Sequence, residues 1–117
     1  MSTENREVID VSDEVIAVCA VNATLKTDGV AGMAGGFSDA FARNFLGHES
    51  AAKGVKITRN DDRIKADIYI FVLYGHKIPA VAWDIQENVK KEIKDMTGIS
   101  LKSVNIHVQG VKMPEEQ

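Results

Sequence analysis

Tyr74–Val111 reads YGHKIPAVAWDIQENVKKEIKDMTGISLKSVNIHVQGV, and its punctuation decides the fold. Pro79 suits the first turn of a helix, where a missing N–H costs nothing. Gly98 stands where a left-handed C′ residue ends one. Between them Val81, Ile85, Val89, Ile93 and Met96 form one apolar stripe predicted to face a core. Burying five such side chains contributes about 7–15 kcal/mol before the entropy of ordering them is subtracted. A closing strand follows over Leu101–Val111, with Val104, Ile106 and Val108 inward and Asn105, His107 and Gln109 outward.

Upstream, Arg63–Tyr74 alternates in the same way. Ile64, Ala66, Ile68, Ile70 and Val72 form its core face, and Lys65, Asp67, Tyr69, Phe71 and Leu73 its outer face. With Gly54–Arg59 it makes a hairpin around the turn formers Asn60-Asp61-Asp62. The outer face begins charged and becomes aromatic and aliphatic, so it is not simply wet.

Nearer the N-terminus, Val8–Val11 reads as a short edge strand. Ser12 is a helix N-cap, with Asp13 and Glu14 in the first turn where the helix dipole favours acids. The helix runs to about Lys26, with Ile16, Cys19, Ala20 and Ala23 on one face. Val18, Val21 and Leu25 form a second apolar stripe nearly opposite, which suits a sandwiched helix or one turned toward another subunit. Asp28-Gly29 ends this unit and Val30–Ala34 is a brief strand. Phe37, Phe41 and Phe45 then recur at the spacing of a short third helix, read as packing rather than as an aromatic arm.

The resulting expectation is an α+β, two-layer sandwich. A mixed sheet of four to five strands carries two long amphipathic helices on one face, with the short helix beside them. Residues 7–112 form one domain, with polar tails at 1–6 and 113–117. A chain of 117 residues is long enough to bury about 65% of its unfolded surface.

Composition narrows function more by exclusion than by indication. A net charge of −3, from 14 basic and 17 acidic residues, offers no broad positive field for a phosphate backbone. One cysteine, Cys19, excludes an internal disulfide and fits a reducing, cytoplasmic setting. MSTENREV has no signal-peptide core, and no apolar run approaches the roughly 20 residues that span a bilayer. Any membrane association is therefore expected through a partner.

No constellation of catalytic type emerges. His48, His76 and His107 share no metal-ligand spacing, and no serine or threonine stands in a nucleophile motif. Asp61, Asp62 and Asp67 cluster near the hairpin, where a turn and a solvated strand end account for them. No catalytic, cofactor or metal residue is assigned, and an enzyme is not expected. Gly32-Met33-Ala34-Gly35 matches the GxxG loop with which KH domains clamp nucleotide backbone, the alternative reading of the chain. No Lys or Arg lies between Lys26 and Arg43, so nucleic acid is the weaker choice.

Trp83 falls among Glu87, Lys90 and Lys94 on the polar side of its helix. Alkyl stems of those neighbours can shield it, another part of the fold can cover it, or it is a contact residue of the kind enriched at interfaces. The candidate partner-contact residues are Val18, Val21, Leu25, Tyr69, Phe71, Leu73, Trp83, Asn105, His107 and Gln109.

Specific phrases carry a family resemblance. They are Lys53-Gly54-Val55-Lys56-Ile57, the strand ending Tyr74-Gly75, Ile78 with the helix through Ile85-Gln86-Glu87-Asn88-Val89-Lys90, Met96-Thr97-Gly98 and Val104–Val111. With Ile9–Ala20 and Asp28–Gly32 they cover nearly the whole chain, which resembles the alkaline shock protein family. The resemblance implies a non-enzymatic cytoplasmic protein of Gram-positive envelope homeostasis and the alkaline or general stress response. It also implies self-association and, in some members, a membrane-anchor protein as partner.

Overall fold

The computed structural model describes residues 9–35, 49–52 and 54–114, with backbone alone at 49–52. In chain order the elements are α1 (Asp13–Leu25), β1 (Val30–Met33), β2 (Glu49–Ala52), β3 (Val55–Asn60), β4 (Arg63–Leu73), α2 (Ile78–Thr97) and β5 (Ser103–Lys112). The architecture is α+β. The third helix expected over Phe37–Phe45 lies outside the described residues, as do most of both tails. Residues 9–12 form no strand, so the edge strand expected over Val8–Val11 is not present there.

β4 organises the five-stranded sheet. Along its first half it pairs antiparallel with β3, from Asn60↔Arg63 to Val55↔Ile68. Along its second half β1 takes the same side, with Val30 opposite Val72 and Met33 opposite Ile70. β5 runs parallel to β4 on the other side, and β2 extends the sheet beyond β3. The hairpin needs only Asp61 and Asp62 as its turn. Asp61 sits at φ 58, a left-handed conformation that Asp tolerates better than most residues.

Both helices begin and end for local reasons. The Ser12 side chain accepts from the Val15 N–H at 3.3 Å, capping α1. Gly98, at φ 81, closes α2, its N–H bonding the Lys94 carbonyl at 2.9 Å. Thr24 and Thr27 are buried, and their hydroxyls donate to the Ala20 and Ala23 carbonyls. That satisfies groups which would otherwise cost stability in the interior.

One core cluster joins Ile16, Ala17, Ala20 and Ala23 of α1 with Val81, Ile85, Val89 and Ile93 of α2 and with Ile64, Ala66, Ile68, Ile70 and Val72 of β4. Met96 departs from its expected place in the α2 stripe and is 69% exposed. The last turn of α2 overhangs α1, where Met96 lines a groove with Val18 and Cys19 instead of reaching the sheet. The inner stripe is thus four residues, worth about 6–12 kcal/mol on the same scale.

Candidate interaction surfaces

α1 turns apolar residues both ways. Ile16, Cys19, Ala20 and Ala23 are buried, whereas Val18 is 62% and Leu25 53% exposed. Val21 is half-buried between them. Val15, exposed and not singled out from the pattern, and Met96, expected on the inner stripe of α2, join this outer stripe. A groove of about 400 Å³ runs along the α1–α2 seam, lined by Val18, Cys19, Val21, Leu25, Glu92 and Met96. Lys26 pairs with Glu92 at 3.5 Å on its rim, and Asn22 donates to the same carboxylate at 3.0 Å. Burial, and then the charge of Glu92, push the Cys19 thiol pKa up, which disfavours a reactive thiolate.

The opposite side of the molecule is the outer sheet face. There the structure gathers Tyr69 of β4 with Asn105 and His107 of β5 around Asp67, and Phe71 lies further along β4. Asp67 is only 9% exposed, so the solvated strand end inferred from its neighbours Asp61 and Asp62 is incorrect. It lies mid-strand, directly opposite Asn105 in the parallel register. Its Oδ1 accepts from Asn105 Nδ2 at 3.2 Å and lies 3.0 Å from His107 Nε2. The His107 ring stacks on Tyr69 with centroids 4.4 Å apart. Two donors and an aromatic lid are what a buried carboxylate needs, so this cluster reads as structural support.

Phe71 occupies space that Gly110 leaves open. A Cβ at Gly110 would lie 3.2 Å from the Phe71 ring, and Lys112 Nζ sits 4.6 Å from the ring centroid. The register shifts by one residue there, with Ile70 opposite Val108 but Phe71 opposite Gly110. Gln109 is the extra residue and is exposed. Leu73 is half-buried at the strand end, opposite Lys112.

Trp83 belongs to neither surface. It is 61% exposed, so neither its neighbours' alkyl stems nor a described part of the fold covers it. One turn further on, Gln86 Nε2 donates to the Val104 carbonyl of β5 at 2.9 Å. That bond places this side of α2 over the edge of the sheet.

The GxxG reading meets a conflict of geometry. Gly32 and Met33 are paired strand residues of β1, and the Ala34 N–H bonds the Tyr69 carbonyl at 2.9 Å. A nucleotide clamp needs a free loop, and three of these four residues are held against β4. Among the described residues no group of three His, Cys, Asp or Glu side chains is arranged to hold a metal ion.

Comparison with solved structures relates the fold to the chain named MamM-CTD H285A, with a TM-score of 0.53 over 86% of this chain and all of that one. At 16% identity that similarity speaks for the fold alone. Sequence relatives are closer. YqhY of Bacillus subtilis (strain 168) is 38% identical over 104 residues, covering 89% of this chain and 76% of YqhY. YloU of the same organism is 38% identical over 107 residues, covering 90% and 88%. A stress response regulator gls24 homolog of Streptococcus pyogenes serotype M3 is 28% identical over 104 residues, covering 89% of this chain but 58% of the regulator. The family model of the alkaline shock proteins, described as having a cell envelope-related function, matches residues 1–113. The chain therefore belongs to the alkaline shock protein family.

Proposed function

We propose that this protein is a non-catalytic interaction module of the envelope or stress response, and that it associates with itself. The observation that carries this reading is the uncovered apolar seam of Val15, Val18, Leu25 and Met96 along α1 and α2. Clustered exposed apolar side chains rimmed by polar ones mark contact surfaces in otherwise ordinary domains. Family membership supplies the envelope setting. Among the described residues no helix is long and apolar enough to cross a membrane. Contact with the envelope is accordingly assigned to a protein partner, such as a membrane-anchor protein, and the module to the cytoplasmic side.

Light scattering from micromolar to near-millimolar concentration tests self-association. The expected result is a mass that rises with concentration in the wild type and less steeply in Val18→Glu. A strict monomer across that range sinks the self-association reading.

A further inference from the structure

Among the described residues β5 is an edge strand, and the direction of its backbone groups follows from bonds already described. Tyr69 N–H bonds Gly54 and Tyr69 C=O accepts from Ala34, so this residue points its backbone toward β3 and β1. Backbone groups alternate along a strand, so Ile68 and Ile70 point toward β5 instead. Asn105 and His107 answer them across the parallel ladder. Val104, Ile106 and Val108 then point outward, and Gln86 reaching the Val104 carbonyl agrees with that assignment. Among the described residues no strand pairs with that edge.

Two further features converge on the same edge. α2 and β5 run in opposite directions, because β5 returns parallel to β4. Trp83, one turn before Gln86, is therefore on the part of α2 that runs toward the Ile106 level of β5. Ile106 and Val108 are only half-buried at the rim of the core. Protection against pairing is confined to the two ends of the edge, where Lys102 and Lys112 also stand. Residues 103–111 contain no Asp, Glu, Lys, Arg or Pro. The Gln86 bond and the Gln109 bulge blunt its two ends and leave Ile106–Val108 open.

We infer that this edge pairs antiparallel with β5 of a second copy, about a two-fold axis at His107, with Trp83 of each copy covering the junction. The inference rests on the self-association reading above and adds a second contact, at the sheet edge, to the helix seam. The self-complementarity is geometric. Outward groups two residues apart on either side of His107 place Ile106 opposite Val108 of the second copy, and the reverse, as hydrogen-bonded pairs. On the helix side, the half-buried Ile106 and Val108 of both copies form one apolar row beneath two indoles. The central residues bring no like charges together in this arrangement, Lys102 falls opposite Lys112 of the second copy only at its frayed ends, and the centre offers no charge code for an acidic or basic peptide.

Hydrogen exchange with analytical ultracentrifugation on the full chain provides the test. Amides of Asn105 and His107, bonded to β4, should be protected at every concentration. Those of Ile106 and Val108 should exchange at least about tenfold more slowly above the dissociation constant than below it. Trp83→Ala should raise the dissociation constant about tenfold. Val108→Pro removes only an outward N–H and should abolish pairing, with circular dichroism reporting that the fold is kept. If the proline variant does not fold, the exchange pattern of the wild type decides alone. Concentration-independent exchange at Ile106 and Val108 in a protein that still self-associates overturns the edge assignment. So does a dimer dispersed by Val18→Glu but indifferent to Trp83→Ala and Val108→Pro, which would leave self-association standing. A strict monomer overturns both readings, and edge protection induced only by an added extended peptide would replace the second copy as occupant.

Discussion

His107 Nε2 lies 3.0 Å from Oδ1 of Asp67, across the parallel junction of β4 and β5. Asn105 donates to the same oxygen, so two β5 side chains converge on one buried carboxylate of β4. A parallel pair tolerates a slip of register poorly when a buried charge depends on it. The contact thus fixes β5, and with it the α2 crossover, relative to the centre of the sheet.

Asp67→Ala should destabilise the protein by about 1–3 kcal/mol, because it removes two hydrogen bonds across the β4–β5 junction. Asp67→Asn keeps an acceptor and should cost about half as much. Urea denaturation measures both, and a loss below about 0.5 kcal/mol in the alanine variant would mean that the cluster is ornamental.

Gly29 and Gly75 both have positive φ, at 93° and 101°, but differ in surroundings. A Cβ at Gly29 would meet Val81 Cγ2 at 2.6 Å, whereas one at Gly75 meets nothing within 4 Å. Gly75→Ala should cost about 1 kcal/mol from backbone strain alone. Gly29→Ala should cost at least about 2 kcal/mol, since overpacking adds to strain. Equal melting temperatures for the two variants would refute the contact with α2.

Met96 and Ile93 are three residues apart on α2 but lie in different environments. Ile93→Ala should cost about 2–5 kcal/mol, as a fully buried truncation does. Met96→Ala should stay within about 0.5 kcal/mol and show its effect in self-association instead. A similar stability loss in both would place Met96 in the core after all.

Cys19 gives the fold an alkaline limit. Burial, with Glu92 adding to it, raises the thiol pKa in the folded state above the ordinary 9.0 that the unfolded chain keeps. The unfolded chain therefore loses its thiol proton first as pH rises. The stabilising contribution is complete below about pH 9 and falls above it. Relative to Cys19→Ala, wild-type stability should decline on moving from pH 8 to pH 10.5. A difference that stays flat across that range would show that the folded thiol ionises as it does in water.

Much of the architecture was legible from local pattern. Ser12, Pro79 and Gly98 mark helix ends through groups that any helix must satisfy, and the alternation in Arg63–Leu73 assigns its core face. β2 was not legible, because Glu49-Ser50-Ala51-Ala52 has little strand propensity of its own and pairs with β3 through backbone. Asp67 misled for a related reason: its proximity in sequence to a polar turn suggested solvent, while its actual neighbours lie 38 and 40 residues away.

The interaction surfaces divide along the same line. Periodicity along α1 was enough to put Val18 and Leu25 on the side away from Ile16 and Ala20, since helical geometry depends only on spacing, whereas Val21 packs partly against the core. Whether anything covers them, or Trp83, depends on how α2 lies against α1 and over the sheet. That no described strand pairs with the outer edge of β5 likewise follows from strand order, with β4 central and β5 parallel beside it. By itself the sequence determined the helices, the hairpin, the closing strand and the family. Only the tertiary structure decided which apolar and backbone groups are left uncovered, because coverage is a relation between elements distant in the chain.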